Sequence, residues 1–272
     1  MKAFVVFLFL VLIVACSSGG KDVPQETAHV VHWGYESDDG PARWGSMNED
    51  WVLCAEGSSQ SPIDLTGAEE SHLPPIEIVM PAGQEAEVLN QGSVADALDN
   101  GHTIQINVPH GEALIVGGKT YALVQAHFHA PSEHTLDGEH YPMEMHFVHQ
   151  AGDEALAVLG LLIDEGEHNA GIEVLWKQLS ASTGTRATVE IPDDLTEYLF
   201  PLDATGYFHY EGSLTTPPCS EGVRWYVRKA PTEFSKEQIA AFTAVYDHNN
   251  RPVQPLGDRV LSFDGDPELI VR

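Results

Sequence analysis

A chain of 272 residues can hold one large domain or two small ones, and 43% hydrophobic residues suffice for a sizeable core. Its formal charge of −28, from 41 acidic against 13 basic residues, would repel phosphate backbones and excludes nucleic acid as a partner. The acidity reads first as a solubility device, with a specific cationic partner as the competing reading; a salt-rich habitat would fit the excess.

In chain order, Lys2 precedes an unbroken apolar run from Ala3 to Ala15. That is too short for a mature spanning helix and typical of an export signal over residues 1–15. The run ends in Ile13-Val-Ala-Cys16, which resembles the bacterial lipoprotein processing box, where Cys16 would carry the lipid. A plain secretory signal is the alternative. Either way the sequence predicts an exported protein, periplasmic or at the cell surface, touching a bacterial membrane only through an N-terminal lipid. Residues 16–30, with Ser17-Ser-Gly-Gly, read as a flexible tether, and residues 31–272 as the folded domain. Removing Cys16 leaves Cys54 and Cys219, which an oxidising compartment would join in one disulfide. Closing so long a loop stabilises by roughly 4–5 kcal/mol on the chain-entropy model. Two free thiols are the alternative.

From Val31 onward no linker, repeat or low-complexity break interrupts the chain. Short apolar segments recur between turn signals: Ile104 to Val108, Leu123 to His129, Met143 to His149 and Ala155 to Ile163. Val223 to Lys229 alternates, with Val223, Trp225 and Val227 on one face. Two segments read as helical. Ile172, Leu175, Trp176 and Leu179 follow helical spacing, and Ser235-Lys-Glu-Gln238 forms a capping-box pattern ahead of Ile239, Phe242 and Val245. The expected fold is mainly β with a few short helices, a single domain around a large, twisted, mostly antiparallel central sheet.

Two strands carry the chemistry. Period-two alternation puts Gln125, His127 and His129 on one face of the first, and Glu144, His146 and Val148 on one face of the second. Neighbouring strands would aim three imidazoles at one point, a three-histidine metal site with its fourth position open. Three protein ligands plus water is a catalytic zinc arrangement, and Gln125 and Glu144 suit the outer contacts that orient ligand rings. His127-x-His129-x-x-x-Glu133 also matches the core of the cupin motif, where the glutamate binds iron or manganese. Tyr121 and His140 stand where that motif expects glycines.

Six further stretches extend the pattern. They are His32-Trp-Gly-Tyr35 with Gly40-Pro-Ala-Arg-Trp44, Gln60-Ser-Pro-Ile63, Asn100-Gly-His-Thr103, Ser132-Glu-His-Thr135, Gly212-Ser-Leu-Thr-Thr-Pro-Pro218 and Asn250-Arg-Pro-Val-Gln-Pro-Leu256. In this order they resemble the α-class carbonic anhydrases from His32 almost to the C-terminus. The resemblance implies one zinc per chain on His127, His129 and His146, with Gln125, Glu144 and a backbone carbonyl near Asn249 as their outer partners. It implies reversible hydration of carbon dioxide to bicarbonate by zinc-bound hydroxide, with Thr215 accepting from the hydroxide and donating to Glu133. Other implied roles are His102 as proton shuttle and Tyr35 as an orderer of the intervening water. Val148, Val158, Leu214, Val223 and Trp225, beside Thr216, would form the carbon dioxide pocket.

The family also pairs cysteines at the positions of Cys54 and Cys219 and has cis bonds before the prolines matching Pro62 and Pro218. Related domains that lost ligands act in recognition, which sets a binding module as the rival reading. Monomer and homodimer both stay open, and His134, His140, His149 and His209 have no assigned role.

Overall fold

The run Leu156-Ala-Val-Leu-Gly-Leu-Leu-Ile163 is apolar without alternation, as expected of a strand covered on both faces. In the computed structural model it is the central strand Leu156–Glu165, buried from Ala157 to Ile163. The structure describes residues 31–79, 85–90, 102–107, 113–177, 185–190, 198–200, 206–266 and 269–271. The leader, Cys16 and the tether fall outside these residues, as do Asn100, Gly101, Val108 and Leu179. From Val31 the chain forms one compact unit.

Among the described residues, 14 strands join in one sheet. Its centre runs Tyr207–Ser213, Glu221–Arg228, Leu156–Glu165, Met143–Gln150, Lys119–His129 and Ile104–Asn107. The expected architecture is present, with one refinement: the sheet is mixed. Leu156–Glu165 runs parallel to Glu221–Arg228, and outlying strands add other parallel pairs. Each face of the sheet carries its own apolar layer. One holds Ala157, Leu159, Leu161 and Ile163 with Phe128, Phe234 and Phe242. The other holds Val158 and Leu162 with Val223, Trp225 and Val227. Helix Lys236–Thr243 covers the first layer, and its Ser235–Gln238 capping box forms as expected, an interaction worth about 1 kcal/mol. Phe242 stacks on Trp176 at 6.0 Å. Val245 lies beyond the helix end and is exposed, because the chain turns after Ala244.

Strand Lys119–His129 positions the site, and it does so through an irregularity. Tyr121 and Leu123 face the first layer, which strict alternation would extend to Gln125 and His127. Instead the register with Met143–Gln150 steps from Leu123↔His149 to Gln125↔Val148. Val124 is the extra residue of a β-bulge and is 48% exposed. After it Ala126 and Phe128 take the core side, and Gln125, His127 and His129 turn to the opposite face.

Candidate metal centre

His127 stands directly across from His146 in the ladder, and His129 across from Glu144. Each imidazole is held by an oxygen that can only accept. His127 Nδ1–H donates to Gln125 Oε1 at 2.8 Å, and His129 Nδ1–H to the Asn249 carbonyl at 2.7 Å. His146 Nε2–H donates to Glu144 Oε1 at 2.9 Å. These bonds fix the tautomers and leave lone pairs on His127 Nε2, His129 Nε2 and His146 Nδ1. The three histidines offer ligand atoms within 4.8 Å of one another. His129 Nε2 is buried without a hydrogen-bond partner, an orphan that a cation would satisfy. His129 and His146 are buried while His127 is half-buried, so the cluster opens to one side. Imidazole nitrogens in this number suit zinc.

Electrostatics favour the same use. Burial first, then repulsion from His129 and His146, holds His127 well below the usual histidine range. Burial lowers His129 too, against the pull of Glu133. Burial also opposes a proton on His146, but Glu144 outweighs it and raises that ring above the usual range. A cation there would displace this proton, making affinity fall with acidity.

Behind the three histidines lies a fully buried network. Glu144 Oε1 accepts His134 Nδ1–H at 2.7 Å as well, and Glu144 Oε2 accepts the Glu133 and His134 amides at 2.9 and 2.8 Å. Burial would raise Glu144, yet His134 and His146 hold it well below the carboxylate range. His134 Nε2 continues to the Tyr210 hydroxyl at 2.7 Å. Sequence reasoning missed this use of His134, although Ser132-Glu-His-Thr135 was among the stretches singled out. His134, Glu144 and His146 also lie close enough to hold a cation, but His134 Nδ1 and His146 Nε2 are both spent on Glu144 Oε1. Gly160 faces the same carboxylate, and a Cβ there would stand 3.1 Å from Glu144 Oε1.

Glu133 is completely buried beside two of these histidines, its Oε1 3.6 Å from His129 Nδ1 and its Oε2 3.9 Å from His146 Nδ1. Oε1 accepts the Arg251 amide at 2.8 Å, and Oε2 has no partner. Thr215 is buried in the loop after Tyr207–Ser213, tied by the Leu214 amide to the Ser220 carbonyl at 3.0 Å and the Cys219 amide to the Thr216 carbonyl at 2.8 Å. Cys54 and Cys219 form the expected disulfide, with Cα atoms 5.1 Å apart. The bonds before Pro62 and Pro218 are cis, and so is Ala130–Pro131, which was not expected.

The five expected apolar pocket residues converge. Val158, Val223 and Trp225 are buried in the second layer, with Val148 and Leu214 packed half-buried against it. Val148, Val158 and Trp225 form one cross-strand row, and the Trp225 ring lies 4.8 Å from His146. Thr216 is half-buried beside Thr215. At the rim His102 Nε2–H donates to the Trp33 carbonyl at 2.9 Å, leaving Nδ1 as the lone pair, and its ring packs on Trp33 at 4.5 Å and Tyr35 at 5.3 Å. Burial lowers His102, partly offset by that carbonyl. Burial and the Glu133 charge push the Tyr35 phenol well above its usual range. An open cleft of about 430 Å³ is lined by His32, Tyr35, His102, Asp247 and Asn249. Asn249 joins rim to centre: its Nδ2 donates to the His102 carbonyl at 2.7 Å while its own carbonyl holds His129.

Three convergent imidazoles with one open side, on the face of a large mixed sheet, define a candidate metalloenzyme. A profile of the eukaryotic-type carbonic anhydrase family matches residues 39–264. A carbonic anhydrase of Pectobacterium carotovorum is 41% identical over 232 residues, covering 85% of this chain and 90% of that protein. The α-carbonic anhydrase of Thermovibrio ammonificans, solved with the inhibitor sulfanilamide, superposes with a TM-score of 0.76 at 39% identity, covering 85% of this chain and 99% of that one. Dioscorin, solved in complex with ascorbate, reaches 0.74 at 27% identity over 85% and 97% of the two chains. The chain belongs to the α-class, or eukaryotic-type, carbonic anhydrase family of enzymes.

Proposed function

We propose that this enzyme catalyses the reversible hydration of carbon dioxide to bicarbonate and a proton, with one zinc ion on His127 Nε2, His129 Nε2 and His146 Nδ1. One observation carries the reading: all three rings already donate their other N–H to fixed oxygens, so three lone pairs converge. Bound there, zinc would supply the Lewis acid that brings the pKa of a water to about 7, an effect for which carbonic anhydrase is itself the reference case. Sharing a fold does not by itself distinguish catalyst from binder, as dioscorin with its ascorbate illustrates. The complete histidine set favours catalysis.

This chain's residues then aim and exclude. No hydrogen bond joins Thr215 to Glu133 in the structure, where Glu133 Oε2 is unpartnered; in this reading that oxygen is the acceptor for the Thr215 hydroxyl. With its proton committed to Glu133, Thr215 can only accept from the nucleophile, which turns a nucleophile lone pair toward the substrate. Carbon dioxide offers no strong hydrogen-bonding group, and the row of Val148, Val158 and Trp225 with Leu214 and Val223 gives it an apolar wall. His102 has a free Nδ1 at the rim and takes the proton outward. Tyr35, kept protonated, orders the water between. Metal analysis and carbon dioxide hydration test this together. About one zinc per chain and rapid hydration are expected, both abolished in His146→Ala; a folded, metal-free, inactive wild-type protein refutes it.

The protein is further proposed to be exported and lipidated at Cys16, on the strength of Lys2, the apolar run and Ile13-Val-Ala-Cys16. The intact mass of the product from a bacterial membrane fraction should show a diacylated or triacylated cysteine at the new N-terminus. An uncleaved leader refutes export by this route.

A further inference from the structure

Arg251 has no part in the roles assigned above, yet it touches Glu133 and the segments that hold the Thr215 loop. It is buried, and its backbone N–H donates to Glu133 Oε1 at 2.8 Å. Its guanidinium reaches the other way. Nη1 donates to Gln60 Oε1 at 2.9 Å and the Ser61 carbonyl at 2.7 Å, and Nη2 to the Cys54 carbonyl at 2.9 Å. Each of those residues in turn grips the Thr215 loop. Cys54 is bonded to Cys219, and Gln60 Nε2 donates to the Cys219 carbonyl at 3.1 Å. The Ser61 amide donates to Ser213 Oγ at 2.9 Å, and the Ser213 amide returns to Ser61 Oγ at 3.0 Å. A planar fork with fixed donor directions can hold three acceptors on neighbouring segments at set distances, which a single ammonium cannot. Burial weakens the guanidinium's hold on its proton, but Glu133 and Tyr35 pull the other way, and an arginine stays charged.

We propose that Arg251 is a positioning residue that sets the separation of Thr215 from Glu133 and so aims the nucleophile. This rests on the roles given to Thr215 and Glu133 above. A misplacement of about 1 Å in such a pair is enough to lower a rate about a hundredfold.

The test is Arg251→Lys, which keeps the charge and removes the fork. In metal-free protein, exchange of the Ser213 and Leu214 amides is expected to quicken about tenfold or more relative to wild type. In zinc-loaded protein the metal content should be unchanged while kcat/KM falls about tenfold or more. In a Thr215→Ala background the same substitution should change kcat/KM by no more than about twofold, because the pair it positions is already gone. If Arg251→Lys does not fold, Gln60→Ala, which removes one link of the clamp, should give a smaller change in the same direction for both readouts. The proposal is overturned if the full loss persists in the Thr215→Ala background, or if exchange and kcat/KM both stay at wild-type values. A wild-type protein without zinc or activity would defeat the proposed function instead, and the exchange measurement would still decide whether Arg251 holds the loop.

Discussion

His149 sits on the strand that carries His146 but faces the other layer, 4% exposed and with its Nδ1 unpartnered. Ile78, Val79, Ala113, Leu123, Phe147, Leu159 and Phe200 line the small cavity beside it, and none brings a polar side chain. Burial therefore lowers its pKa from 6.5 to about 4, against a weak upward pull from the Phe147 and Ala157 carbonyls. The folded value lies below the unfolded one, so between them the unfolded chain binds a proton that the native state refuses. Stability from this group is complete above about pH 6.5 and is lost as pH falls toward about 4. A gap of about 2.5 units corresponds to about 3.4 kcal/mol, a large share of a domain's typical stability. Replacing His149 with leucine removes both the titration and an unsatisfied polar atom. Urea unfolding of wild type and His149→Leu across this range should show the variant at least as stable at neutral pH. Its advantage should grow by about 1.4 kcal/mol per pH unit on acidification. Differencing the two proteins cancels metal release and every titration they share. A difference that stays constant from about pH 7.5 to 4.5 would refute the reasoning, showing that the imidazole finds water or a partner when protonated.

Other outcomes follow from the same geometry. Removing the disulfide by Cys54→Ser with Cys219→Ser should lower stability by about 5 kcal/mol, given a sequence separation of 165 between the cysteines; chemical unfolding under identical metal loading measures it. Gln125→Ala frees the His127 ring and should weaken zinc binding by about 10- to 100-fold, read by competition with a chelator. His102→Ala should slow turnover in weak buffer and be rescued by added imidazole, whereas unchanged turnover without rescue removes His102 from the proton path. Gly160→Val should destabilise the chain and loosen Glu144, seen as a lower melting temperature together with lower zinc affinity.

Much of the centre was legible because alternation counted from Gln125 begins just past the bulge, where the period holds to His129. Counted from Tyr121, the same rule would have sent His127 and His129 into the core. The hydrogen-bond partners of the rings were legible for Gln125 and Glu144, which stand two residues from their histidines, and the family resemblance supplied Asn249. His134 and Arg251 were not, since each acts on partners brought together only by folding, from Tyr210 to Cys54. Likewise no local pattern announces that Leu156–Glu165 pairs in parallel with a strand more than fifty residues on. The segments Trp44–Met47 and Leu53–Glu56 are single turns, too short for a helical period to register. Around Ile172 the described helix is also one turn, Glu173–Trp176.

Val124 has a bearing on how such a centre could arise or be copied. Deleting that one codon would place Gln125 directly after Leu123 in regular alternation, so both halves of the strand would keep their present faces, Leu123 on the core side and His127 on the other. Keeping Val124 in a straight strand would instead send His127 and His129 to the core side and Ala126 and Phe128 to the other, so the bulge is what reconciles this length of chain with its two faces. A designer could therefore graft the His-x-His pair onto a flat host strand one residue shorter, with no kink to transplant.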